Sequence, residues 1–120
     1  MIGLDEIRRL ALALPEVEEA THFGQPSFKV RGKPFAGLEK GGAHLGVGVD
    51  PAEAHGAVAD DPEVYQEVWR NGSIFVGLRI DLAKVSAERV AELIERAWRN
   101  KAPKRLVTAY DEARGAAGRT

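Results

Sequence analysis

Cysteine is absent from this 120-residue chain, and methionine occurs once. Without thiols there is no disulfide framework, no zinc finger, no iron–sulfur site and no cysteine nucleophile. Long apolar runs are missing as well, since none approaches the ~20 residues needed to span a bilayer. The start Met1-Ile2-Gly3-Leu4-Asp5-Glu6 lacks the plan of a secretory leader. The expected compartment is therefore the cytoplasm. Nor does one sign of charge dominate. Seventeen basic and eighteen acidic residues leave a net charge of −1, which excludes a histone-like binder and an acidic solvating tail. What remains is the composition of an ordinary globule, 44% hydrophobic and 29% charged. Such a chain buries roughly two-thirds of its unfolded surface. One domain over 1–114 is expected, with a frayed tail over 115–120.

Periodicity supplies the elements. Ile7, Leu10, Ala11 and Leu14 recur at helical spacing, and Pro15 stops that helix because it lacks an amide hydrogen. Glu16-Val17-Glu18-Glu19 reads as an acidic connector. From Pro26 to Val49 the period falls to two. Phe28 and Val30 alternate with Lys29 and Arg31, a turn at Gly32-Lys33 leads into Phe35–Leu38, and Gly41-Gly42 makes a second turn. Ala43, Leu45, Val47 and Val49 then share one face, and His44, Gly46 and Gly48 the other. This predicts a three-stranded antiparallel meander.

Asp50-Pro51-Ala52-Glu53 is a helix start, with aspartate as cap and proline in the first turn. That helix is expected to reach about Ala59. Val64–Trp69 fits either period and is read as strand. Ser73–Ile80 is expected to turn Ile74, Val76, Leu78 and Ile80 inward and Phe75 and Arg79 outward, after an Asn71-Gly72 hairpin turn. Ser86 caps a last long helix with the stripe Val90, Leu93, Ile94, Ala97 and Trp98, and a short helix follows Pro103. The expected fold class is α+β: an antiparallel sheet with helices on one face, in the order α-β-β-β-α-β-β-α.

Chemistry-bearing patterns are sparse. His22, His44 and His55 have no metal-ligand spacing, so no metal or cofactor is expected. Ser27, Ser73 and Ser86 lack a nucleophile elbow, and Gly42–Gly48 does not follow the dinucleotide-binding order. No catalytic constellation is visible, so the chain is read as a non-enzyme. The basic residues are the clearest cluster. Lys29, Arg31 and Lys33 lie close together, and Arg96, Arg99, Lys101, Lys104 and Arg105 fall within ten residues without an acid. They read either as phosphate contacts or as cations at a solvated helix end. The stripe His44, Gly46, Gly48 would let a ligand or another chain approach the sheet closely.

Two stretches carry a family resemblance. One holds Pro15, Glu18-Glu19, Thr21, Phe23-Gly24-Gln25-Pro26 and Phe28-Lys29-Val30-Arg31-Gly32-Lys33; the other runs from Trp98 to Pro103-Lys104. Val47-Gly48-Val49-Asp50-Pro51 lies between them. Together these resemble the MmcQ/YjbR family of small bacterial proteins. One departure is His22-Phe23, where many members carry tryptophan beside the glycine. The resemblance implies a frataxin-like (CyaY-like) or secretion-chaperone-like fold, and DNA binding through a double-wing surface. Duplex DNA would then meet Lys29, Arg31, Lys33, Lys101, Lys104 and Arg105. The alternative is a protein- or small-molecule-interaction module on the open sheet face, with Phe23, His44 and Phe75.

Overall fold

The expected apolar stripe forms helix α1 (Leu4–Leu12), with Ile7 and Ala11 fully buried. Glu16 leads directly into strand β1 (Val17–His22), which corrects the expected connector. Glutamates make poor strand formers, but here each has a cross-strand or cross-element role. Glu18 stands opposite Lys29, and Glu19 accepts from Arg8 of α1 at 2.7 and 3.0 Å. The meander is therefore four-stranded: β1, β2 (Gln25–Val30), β3 (Lys33–Leu38) and β4 (His44–Val47). Helix α2 (Pro51–Asp60) follows, then strands β5 (Tyr65–Arg70) and β6 (Ile74–Asp81), and helices α3 (Ala87–Lys101) and α4 (Lys104–Ala117). The computed structural model describes residues 1–117. Gly115–Ala117 continue α4, where a frayed tail is expected from the sequence; residues 118–120 of that tail lie outside the described residues.

All strand pairings are antiparallel, in the order β1-β2-β3-β4-β6-β5. Three hairpins close on a left-handed residue followed by glycine: Phe23-Gly24, Arg31-Gly32 and Asn71-Gly72. Two consecutive positive φ angles match the right-handed twist of the flanking strands, which is why glycine is needed at the second position. The β2–β3 turn thus sits one residue earlier than the expected Gly32-Lys33.

Helix caps follow the expected chemistry. The Asp50 carboxylate accepts from the Glu53 amide at 2.8 Å, and the Ser86 hydroxyl from the Arg89 amide at 3.1 Å. Helix α3 lies against β3 and β4, α2 against β5 and β6, and α1 against β1 and α3. All the helix–sheet packing is therefore on one side. Phe28, Val30, Leu45, Leu78 and Ile80 meet the helices in a single core cluster. Trp98 is fully buried there; its Nε1 donates to the Pro15 carbonyl at 3.1 Å, and its ring meets Tyr110 edge-on at 5.0 Å. Among the described residues no helix is long and apolar enough to cross a membrane.

Strand β6 departs from simple alternation. Val68 pairs with Gly77 but Trp69 pairs with Phe75, so Val76 is an extra residue in the ladder. Such a bulge flips the phase. Leu78 and Ile80 face the core as expected, whereas Ile74 and Val76 are 53% and 40% exposed. Phe75, expected outward, packs against the core cluster and against Trp69.

Candidate functional site

The sheet face without helices is paved with small residues. One row across five strands runs Ser27, Gly37, Gly46, Arg79 and Gln66, each paired with the next. Gly48 and Gly77 meet just beyond it. Because the floor is low, taller neighbours enclose a groove of roughly 500 Å³. His22 and Pro26 line it on the β1–β2 side, and Val68, Ile74, Phe75 and Val76 on the β5–β6 side.

The glycines of this floor differ in why they are glycine. A Cβ on Gly77 would collide with the Val47 carbonyl oxygen, so backbone packing excludes any side chain there. A Cβ on Gly46 would meet nothing nearer than the Gly37 carbonyl at 3.7 Å, and one on Gly37 nothing nearer than 3.8 Å. Neither has a positive φ. Glycine weakens a strand interior, yet no steric or dihedral demand accounts for it at these two paired positions. What it does is leave the floor bare.

Polar groups are distributed unevenly. The guanidinium of Arg79 reaches both carboxylate oxygens of Glu39, at 2.9 and 2.8 Å, and so neutralises that end of the floor. At the opposite end Lys101 closes over Gly48, its Cε 2.8 Å from where a Cβ would stand. Arg70 lines the same end, two residues beyond Val68. Lys101 and Arg70 take part in none of the ion pairs among the described residues. Ser27 is only 5% exposed and lines the groove, and its hydroxyl enters no side-chain hydrogen bond among the described residues. Among the described residues no fully buried side-chain polar atom lacks a partner, so that hydroxyl opens to the groove.

The fold and the family agree. The YjbR family model matches residues 12–100. The chain belongs to the YjbR family. A solved Deinococcus radiodurans protein, DR2400, with a DUF419 domain, is similar in fold at a TM-score of 0.70 and 20% identity. That alignment covers 82% of this chain and 77% of the other. No curated protein matches.

Within this YjbR chain the residues expected to contact DNA do not behave alike. Arg31 lies in the β2–β3 turn and is held by Glu16 through two bonds of 2.6 and 3.0 Å, which keep the Glu16 carboxyl below its ordinary pKa. Arg31 thus belongs to the turn rather than to strand β2, which ends at Val30. Arg96 pairs with Glu53, and Arg99 with Asp111 and Glu95, so the ten-residue basic run is largely neutralised on its helix side. Lys29, Lys33, Lys101, Lys104 and Arg105 enter no ion pair among the described residues. Of these, Lys101 alone lines the groove; Lys104 and Arg105 open α4 and are exposed.

Of the expected ligand face, Phe75 lines the groove and His44 does not. Phe23 is 92% exposed at the β1–β2 turn, beside the groove residue His22. The three histidines lie on separate elements, and among the described residues no cluster of three or more potential ligands could hold a metal ion. Sequence reasoning missed Ser27, Gly37, Val68, Arg70 and Gly77. Gly37 had a visible signal, since glycine stands in an otherwise apolar run. The bulge that carries Phe35, between the Phe28–Ala36 and Lys29–Pro34 pairs, hid which face it occupies.

Proposed function

We propose that this YjbR protein is a non-catalytic binding module whose ligand site is the bare face of its sheet. The paired glycines 37 and 46 carry this reading: both have room for a side chain, and both leave the groove open instead. The volume falls in the range of small-ligand pockets, with mostly apolar walls and a few polar groups at fixed points. Ligand-observed NMR with a library of small apolar compounds tests it. Binding to the wild type should be lost when Gly46→Leu fills the groove, with the far-ultraviolet circular dichroism unchanged. Retained binding in that folded variant would sink the proposal.

A second reading, contact with duplex DNA, is favoured by five of the expected cations that enter no ion pair among the described residues. Lys29, Lys33, Lys101, Lys104 and Arg105 would supply it, with Arg31 occupied by Glu16. About five phosphate contacts give a slope near −4 to −5 in log affinity against log salt. Anisotropy of a labelled duplex measures that slope, and Lys104→Ala with Arg105→Ala should flatten it. No binding at low salt would remove the DNA reading.

A further inference from the structure

We infer that the groove takes a small, flat, largely apolar molecule carrying one anionic group, seated against Lys101 and Arg70. This inference rests on the open-face reading above. Strands β3 and β4 form the floor and are hydrogen-bonded on both edges, so they have no free backbone edge to pair with a peptide strand. A planar apolar group needs none. It can lie on the exposed peptide planes of Gly37 and Gly46, with Val68, Val76 and Pro26 against its rim.

Charge gives the ligand its direction. At the Glu39 end the arginine is already paired, whereas at the other end Lys101 and Arg70 line the groove and enter no ion pair among the described residues. An anion placed there meets two cations at the mouth of a mostly apolar cleft, where electrostatic attraction exceeds its value in bulk water. The Ser27 hydroxyl, open to the groove, adds one hydrogen-bonding group to its wall.

Two dyes with one aromatic skeleton test this: 8-anilinonaphthalene-1-sulfonate and its uncharged counterpart N-phenyl-1-naphthylamine. Fluorescence titration of the folded wild type should show both bound, the sulfonate about tenfold tighter at low salt. In the double variant Lys101→Met, Arg70→Gln that preference should vanish while the uncharged dye still binds. Gly46→Leu should abolish both, and Gly37→Leu repeats the block from the neighbouring strand should the first variant not fold. Both dyes binding unchanged to folded Gly46→Leu or Gly37→Leu, or neither binding the wild type, overturns the groove itself. Loss of both in the blocked variants, with the sulfonate preference absent from the wild type or intact in the double variant, overturns the anion assignment alone. Displacement by 1-naphthoate against 1-naphthyl phosphate then tells a carboxylate ligand from a phosphate ester.

Discussion

The two faces of one sheet are built on opposite plans from the same strands. On the helix side, successive inward positions carry Phe28, Ala36, Leu45, Leu78 and Ile80, all buried and close-packed. On the other side the intervening positions carry Ser27, Gly37, Gly46 and Gly77. Packing explains every large residue on the first face. It explains Gly77 on the second, but not Gly37 or Gly46, which have room to spare. Small residues in one stripe can thus have different causes, and the space around a missing Cβ separates them.

Five substitutions break or sharpen that contrast. The largest effect should come from the covered face. Trp98→Ala removes the buried ring, its bond to Pro15 and its contact with Tyr110, and should cost about 3–5 kcal/mol in denaturant unfolding. A loss below 1 kcal/mol would mean that α3 is not the anchor of the core. Next comes the pair of glycines. Gly77→Ala should destabilise by about 1–3 kcal/mol, because the Val47 backbone must move. Gly46→Ala should be neutral or stabilising by up to about 1 kcal/mol. Equal effects at the two sites would erase the distinction on which the open floor rests.

Phe23 lies beside the rim at φ +49, a conformation poorly suited to an aromatic residue, and its ring is exposed. Phe23→Asn should raise stability by about 1 kcal/mol, read as a higher unfolding midpoint. A lower midpoint would show that the ring contributes to the fold. The smallest effect concerns acid. The Arg8 guanidinium bonds Glu19 and holds its carboxyl below the ordinary 4.5. A lowered folded pKa contributes stability above the unfolded value, and that contribution disappears as pH falls through the folded one. Glu19→Gln should therefore lower the melting temperature slightly at pH 7 and flatten its decline below pH 4.5. A decline identical to wild type would exclude this pair as a contributor.

Much of this architecture is legible in the chain alone. The stripes of α1 and α3, the caps Asp50 and Ser86, and the Asn71-Gly72 turn depend on neighbours a few residues apart, and they stand as read. The resemblance in Phe23–Lys33 and Trp98–Lys104 likewise led to the family. Strand β1 was hidden because its glutamates become strand residues only when Lys29 and Arg8 face them across the fold. The exposure of Ile74 and Val76 follows from a bulge set by pairing with β5. Arg31 and Lys101, alike as basic residues in the sequence, end in different places: one clasped by Glu16, the other over Gly48.

The sequence by itself determined the helices, their caps, the Asn71-Gly72 turn and the alternation along β2 and β4, since local sterics and short-range hydrogen bonds dictate these. Only the tertiary structure decided which face the helices cover, which cations keep a free charge, and which glycines are bare by necessity. Those outcomes depend on atoms brought together from distant parts of the chain, where burial and close contact rather than local propensity set the result.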